Sequence, residues 1–326
     1  MRTEEVAENI HRIPIRLPNN PLKELNSYYI RDKDRSLLID TGFPLDECRE
    51  DLLAGLAELG EEAGNVDFFL THMHADHSGL ASQLVGKDRR VMISEIDRGW
   101  LLGNNTAIER WNRYTGSFIA AGMPEEIVRS FPFLNPAIRF APRADHFIGV
   151  GDGHIIRAGG YAFRCVLTHG HTPGHMCLWD ETNRLMFTGD HVLFDITPNI
   201  TAWSAMDNTL GKYLDSLKAV LQYPVRTALP GHRKTGDFSA RIEELLMHHE
   251  NRLAEILSIV RNEPKLTAYE ISGKMKWRIR AANWLEFPAT QKIFAVGECM
   301  THLDYLMRCG KLSMTKPANL ELYSMI

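Results

Sequence analysis

His72-Met73-His74-Ala75-Asp76-His77 is the stretch on which the reading of this chain turns. Three imidazoles and a carboxylate lie almost side by side. Directly before them runs Val66-Asp67-Phe68-Phe69-Leu70, an apolar segment of strand length. Side chains two apart on an extended segment point to the same side, so His72 and His74 share a face. Asp76 and His77 fall where the chain must turn, ahead of the helical pattern Ser78-Gly79-Leu80-Ala81-Ser82-Gln83-Leu84. The first two ligands can hold one metal ion and the next two a second. Imidazole and carboxylate suit zinc, and also iron or manganese. Helix capping would account for Asp76 but not for three histidines beside it.

Three later segments repeat the arrangement of a strand-like run followed by a Gly-containing loop with a histidine or aspartate. Thr168-His169-Gly170-His171-Thr172-Pro173-Gly174-His175 follows Phe163 to Leu167. Thr188-Gly189-Asp190-His191 follows Arg184 to Phe187, and Leu229-Pro230-Gly231-His232 follows Tyr223 to Ala228. Strand ends are where a rigid sheet presents functional groups, and glycine there lets the backbone approach closely.

HxHxDH, then H-T-P-G-H, G-D and P-G-H, resembles the metal-binding series of the metallo-β-lactamase superfamily in order and spacing across residues 72 to 232. Leu37-Leu38-Ile39-Asp40-Thr41-Gly42 also looks like an early strand of that family. The resemblance implies an α/β fold, a four-layer αβ/βα sandwich with a dinuclear site along one edge. Carried over by motif, His72, His74 and His171 would hold the first metal. Asp76, His77 and His232 would hold the second, and Asp190 would bridge them. The cofactors expected are two divalent ions, zinc first, with iron and manganese as alternatives. His169, His171 and His175 all compete at the third motif; the family pattern selects His171. His169 is then expected to line the pocket or to hydrogen-bond a ligand, and His175 and His191 to be structural or to support ligands through hydrogen bonds. His11, His146, His154, His248, His249 and His302 have no ligand-like context and are read as surface or core residues.

The chain has 326 residues, enough for a large core and two domains. Its hydrophobic share of 44%, charged share of 24% and net charge of −4 are those of an ordinary globular protein with no overall pull towards polyanions. The charged start, Met1 to Ile10, reads as no secretory signal, and no run has the apolar length of a membrane span. Five scattered cysteines, Cys48, Cys165, Cys177, Cys299 and Cys309, form no CxxC pair; they suggest reduced thiols in a cytoplasmic protein.

Residues 1–236 are expected to form the catalytic domain. Within it, 96–145 break the β rhythm with a helical pattern carrying Trp100, Trp111, Tyr114, Phe118, Phe131 and Phe133, punctuated by Pro124, Pro132 and Pro136. This insert reads equally as an aromatic lid over the metal cleft or as helix packing, including a homodimer contact. Residues 237–326 read as three helices and a hairpin. Phe238 to Val260 comes first, then a helix opened by the capping pair Thr267 and Glu270, then Thr290 to Arg308 closed by Gly310. Leu312 to Ser324 supplies the hairpin. That order resembles the winged-helix-like C-terminal domain of several glyoxalase-II-like members of the superfamily.

The implied chemistry is attack by a metal-bridging hydroxide on a small-molecule acyl substrate, a thioester, ester or lactone. Asp76 orients the nucleophile and Asp190 sets the metal separation. The lactonase branch tends to carry a tyrosine three residues past the bridging aspartate, where this chain has Leu193 followed by Phe194. The glutathione-binding pattern of true glyoxalase II is also not evident. A nuclease is the alternative. It draws on the winged-helix outline and on Lys274-Met275-Lys276-Trp277-Arg278-Ile279-Arg280, whose cations could meet phosphates and whose tryptophan could meet a base. A solvated helix face explains the same charges more simply.

Overall fold

The β-branched and aromatic runs around the metal-binding stretch form strands, and these assemble into two sheets. The computed structural model describes residues 3–102, 107–134, 140, 142, 144–203, 206–278 and 281–326. The first sheet lines up β1 (Glu4–Ala7), β2 (Ile10–Arg16), β3 (Glu24–Ile30), β4 (Leu37–Ile39), β5 (Asp67–Phe69), β6 (Val91–Ser94) and β7 (Ile148–Val150) in sequence order. The second runs β12 (Thr227–Pro230), β11 (Leu185–Gly189), β10 (Met176–Asp180), β9 (Tyr161–Leu167) and β8 (Ile155–Ala158). β4, β5 and β6 are mutually parallel, as are β11 and β12. β9 and β11 are each antiparallel to β10 and so run the same way. The C-terminal ends of β9, β11 and β12 therefore share one edge of their sheet.

One apolar core draws on both sheets. Ile10, Tyr28, Ile39 and Phe69 come from the first sheet and Phe163, Met176, Leu178 and Phe187 from the second, all buried together. On β2 the opposite parity faces outward, onto helix α1 (Asp46–Glu58). At Gly55 a Cβ would come within 2.4 Å of Ile13 Cγ2, so only glycine lets this helix lie so close. The two sheets are also tied by polar contacts at the edge where the motifs emerge. Met176 N–H donates to Thr71 O (2.8 Å), and Asn26 N–H to Gly231 O (2.7 Å). Asn26 Nδ2 donates to both Pro230 O and Arg233 O, and the buried Tyr28 hydroxyl also donates to Pro230 O.

Short helices follow the metal-binding stretch: α2 (Ala75–Ser78), α3 (Ala81–Leu84), and after β6 α4 (Glu95–Leu101). The remaining helices are α5 (Ala107–Ala120), α6 (Glu125–Leu134), α7 (Thr209–Val220), α8 (Phe238–Asn262), α9 (Ala268–Lys274) and α10 (Ala289–Arg308). The hairpin β13 (Leu312–Thr315) and β14 (Leu322–Met325) ends the chain. α9 opens with the expected reciprocal capping box between Thr267 and Glu270, and Gly310 takes a positive φ of 65° just past α10.

The chain divides into two compact units, and the division does not fall at 236/237. Residues 1–104, 140–198 and 217–242 form the first; 105–139, 199–216 and 243–326 form the second. The aromatic insert thus belongs largely with the C-terminal helices. Phe118, Met123 and Phe131 are buried with Ile256, Val296 and Cys299. The Trp111 and Phe131 rings are tilted at 46° with centroids 4.5 Å apart, and Phe131 meets Phe294 edge-on at 5.8 Å. Of the two readings of the insert, these rings take the packing role: an apolar stripe is satisfied by the apolar faces of α8 and α10. Pro132 lies inside α6 rather than ending it, while Pro136 lies outside the described residues.

Candidate metal centre

Each motif residue sits where a strand stops. β5 ends at Phe69, and Thr71 to His77 follow as a loop and the first turn of α2. β9 leads to His171, β11 to Asp190 and β12 to His232. The fold brings all seven expected ligands together in three overlapping groups: His72, His74 and His171; His72, His77 and Asp190; and Asp76, His77 and His232. His72 Nε2 lies 3.0 Å from His74 Nδ1, which lies 2.9 Å from His171 Nε2. Ligands about 2.1 Å from a tetrahedral ion stand about 3.4 Å apart, so these atoms need to spread by only about half an ångström to form a coordinating set. His77 Nε2 and His232 Nε2 face each other at 3.2 Å, and Asp76 Oδ2 is 3.6 Å from His232 Nε2.

Asp190 spans the two groups. Its Oδ1 is 3.5 Å from His77 Nε2 and 3.6 Å from His232 Nε2; its Oδ2 is 3.5 Å from His171 Nε2. Oδ1 is buried without a hydrogen bond of normal length. A buried carboxylate oxygen left like this costs free energy unless a cation answers it.

The rings are oriented from behind. His77 Nδ1 lies 2.7 Å from Asp40 Oδ2 and His232 Nδ1 2.7 Å from Glu24 O, so both Nδ1–H groups donate outward. Both Nε2 lone pairs then point at each other, an arrangement that calls for a cation between them. His72 follows the same logic: its Nδ1 is 3.1 Å from Thr71 Oγ1, whose own proton goes to Asp40 Oδ2. The donor set therefore suits divalent metal ions. Burial opposes charge on His77, yet Asp40 and Asp190 raise it well above the usual histidine range. Burial and the neighbouring histidines push His72 far down and His74 to about 3. Burial alone would raise Asp76, but its contact with His232 and the nearby His77 bring it down to about 2.

His175 points both nitrogens at protein. Nδ1 is 2.7 Å from Thr168 Oγ1 and Nε2 accepts the Asp190 N–H at 3.1 Å, so it props the Asp190 backbone. His169 Nδ1 donates to Pro173 O within its own loop (2.6 Å). His191 is fully buried beside His175. His248, His249 and His302 lie together in the second unit, away from every motif in the sequence.

Sequence reasoning quoted Asp40 without giving it a role. It sits at φ +60°, a strained conformation for a non-glycine residue, and accepts from Thr71 N, Thr71 Oγ1 and His77. The signal available was an aspartate directly after a buried strand. Asp97 was missed entirely. It is fully buried on α4 and accepts from Met73 N (3.0 Å), Thr172 Oγ1 (2.7 Å) and Gly174 N (2.6 Å). Burial pushes its carboxyl up to about 6 against the pull of these three donors. Its only local signature, Ser94-x-x-Asp97, announces a helix start, and Ser94 Oγ does accept the Asp97 N–H.

The chain is similar to several known proteins. The lactamase-like protein nscB of Neosartorya fischeri is 25% identical over 274 residues, 80% of this chain and 64% of that protein. A beta-lactamase-like protein 2 homolog of Caenorhabditis elegans is 22% identical, covering 86% of this chain and 81% of its own. An atrochrysone carboxyl ACP thioesterase of Emericella nidulans is 27% identical over 70% of this chain, which spans 57% of that protein. The crystal structure of a metallo-beta-lactamase family protein from Thermus thermophilus superposes with a TM-score of 0.79 at 27% identity, covering 98% of this chain and all of that one. Residues 23–232 match the metallo-beta-lactamase superfamily, and the chain belongs to that superfamily of metal-dependent hydrolases.

Proposed function

We propose that this protein is a dinuclear metal hydrolase that cleaves a thioester, ester or lactone of a small molecule. The observation that carries the reading is Asp190, with one carboxylate oxygen towards His77 and His232 and the other towards His171. His72, His74 and His171 are assigned to the first ion, Asp76, His77 and His232 to the second, and Asp190 to both. Two divalent ions, zinc first on this imidazole–carboxylate set, would polarise a substrate carbonyl and lower the pKa of a water held between them towards about 7. The chain's own groups do the rest. Asp40 and the Glu24 carbonyl keep His77 and His232 in one tautomer. Asp76, its carboxyl held low by His232 and His77, orients the attacking water, and the leaving group takes its proton from solvent.

The buried cysteines do not compete as nucleophiles. The four buried cysteines have thiols raised by burial, Cys48 to about 11 and Cys165, Cys177 and Cys299 to about 12. All five cysteines are unpaired, which supports a reducing, cytoplasmic setting. Among the described residues no helix is long and apolar enough to cross a membrane. The thioester preference draws support from the name of the Emericella nidulans relative. We also assign the helices and hairpin after residue 243 to the winged-helix class, on their order alone.

The cationic segment after α9 gives the nuclease reading little support. Lys274 pairs with Glu263 at 2.9 Å. One face of Trp277 is covered by the Arg252 guanidinium, 4.2 Å from the ring, and its Nε1–H is spent on Ser272 O. Ile279 and Arg280 lie outside the described residues. The test is a substrate panel on zinc-reconstituted protein: acyl-pantetheine thioesters, aryl esters, lactones and RNA. Turnover of acyl substrates without RNA cleavage is expected. RNA cleavage with a steep salt dependence of binding, and no acyl turnover, would replace this reading with the nuclease.

A further inference from the structure

We infer that Asp97 is a positioning residue that sets the first metal site and leaves the second alone. The inference rests on the two-ion reading above. The three ligands of the first site come from two loops far apart in the chain. His72 and His74 flank Met73 after β5; His171 precedes Thr172 after β9. Asp97 joins those loops. One oxygen, Oδ2, accepts from Met73 N at 3.0 Å and from Thr172 Oγ1 at 2.7 Å. Oδ1 accepts from Gly174 N at 2.6 Å. The peptide between two ligand histidines and the residue after the third thus converge on a single carboxylate. Hydrogen bonds to an ionised acceptor are short and strong, so the clamp fixes the loop separation more tightly than contacts of neutral groups would.

The fit around Asp97 is close. At Gly174 a Cβ would meet Ser94 Oγ at 2.2 Å, Asp97 N at 2.6 Å and Asp97 Oδ1 at 2.7 Å. The third-motif loop can approach α4 only because this position has no side chain. Asp97 is itself held by the turn in which Ser94 caps its N–H. Its hydrogen bonds to the two loops go to Met73, Thr172 and Gly174 rather than to a ligand side chain. The second site is braced differently, by Asp40 on His77, by the Glu24 carbonyl on His232, and by Asn26 holding Pro230 O and Arg233 O. Asp40 also reaches His72 of the first site through Thr71, but the Asp97 bonds to Met73, Thr172 and Gly174 have no counterpart among these supports of the second site.

Asp97→Asn keeps the shape but offers one acceptor oxygen where there were two. Either Gly174 N or the Met73 N and Thr172 pair must then face an amide N–H₂. The experiment measures zinc affinity by chelator competition in two single-site backgrounds, with thermal unfolding of each metal-free protein as the fold control. In His232→Ala, where the first site remains, Asp97→Asn should weaken zinc binding by about 10–100-fold, the usual effect of losing a ligand's outer support. In His171→Ala, where the second site remains, it should change affinity by less than about two-fold, as expected of groups with no shared partner. Thr172→Val, which removes one of the three donors, should give a smaller loss in the first background only. It keeps the test open if Asp97→Asn fails to fold. Equal weakening in both backgrounds, or none in the first, overturns the assignment of Asp97 while the two-ion reading stands. A wild-type chain that binds fewer than two zinc ions overturns both.

Discussion

Two buried histidine clusters in this protein look alike in composition and differ in what their lone pairs do. In the second unit, His302 Nδ1 donates to the Glu298 backbone O at 2.7 Å, and His249 Nδ1 lies 3.0 Å from His302 Nε2. His302 there donates on one side and accepts on the other, while His249 donates through Nδ1 and its buried Nε2 makes no hydrogen bond; between the two rings a donor meets an acceptor, not a second lone pair. Burial keeps both neutral, pushing His249 well down and His302 to about 4. In the first unit, Asp40 and the Glu24 carbonyl take the Nδ1–H groups of His77 and His232, and the remaining lone pairs converge on each other and on Asp190. The difference teaches that histidine density does not mark a metal centre. Convergent lone pairs do, when the opposite nitrogens are already committed and a carboxylate stands among them.

The contrast is broken most directly at Asp190. Asp190→Asn keeps the volume and removes the charge between the two sets. Hydrolysis should fall by on the order of 10²–10³-fold or more, with circular dichroism unchanged. Turnover close to wild type would mean that Asp190 does not span two ions.

A smaller effect is expected one step back. Asp40→Asn replaces the acceptor behind His77, and zinc affinity should fall by about 10–100-fold. His249→Gln with His302→Gln is the matched control in the other cluster, and the zinc content per chain should stay the same. Loss of bound zinc in that control would erase the distinction drawn between the clusters.

The smallest effect sharpens the second cluster. Glu298 is raised from 4.5 to about 7 by burial, with Arg252 Nε 3.5 Å away pulling it back. An acid whose folded pKa is raised contributes its stability when protonated. That contribution is complete below 4.5 and is lost as pH rises through about 7. Wild type should therefore lose on the order of 2 kcal/mol relative to Glu298→Gln between those limits. The buried His249 and His302 act with the opposite sign below their usual pKa, which is why the comparison is made against Glu298→Gln and not read from wild type alone. A pH-independent difference between the two proteins in denaturant unfolding would sink the assignment.

The sequence by itself determined the site's inventory. HxHxDH and the later Gly-flanked motifs are local patterns, and each residue's position at a strand end follows from the apolar run before it. The outlines of α8, α9, α10 and the final hairpin were legible for the same reason: period, caps and the closing glycine are all short-range signals. Tertiary structure alone decided which groups support that inventory. Asp97 sits 23 residues past His74 and 74 before His171, and nothing near it in the chain says that its carboxylate will receive Met73, Thr172 and Gly174. Asn26 reaches Pro230 across more than 200 residues in the same way. Tertiary structure also decided the insert. An aromatic stripe announces that it must be buried but not against what, because burial is non-directional. Its partners proved to be α8 and α10, whose apolar faces the insert completes.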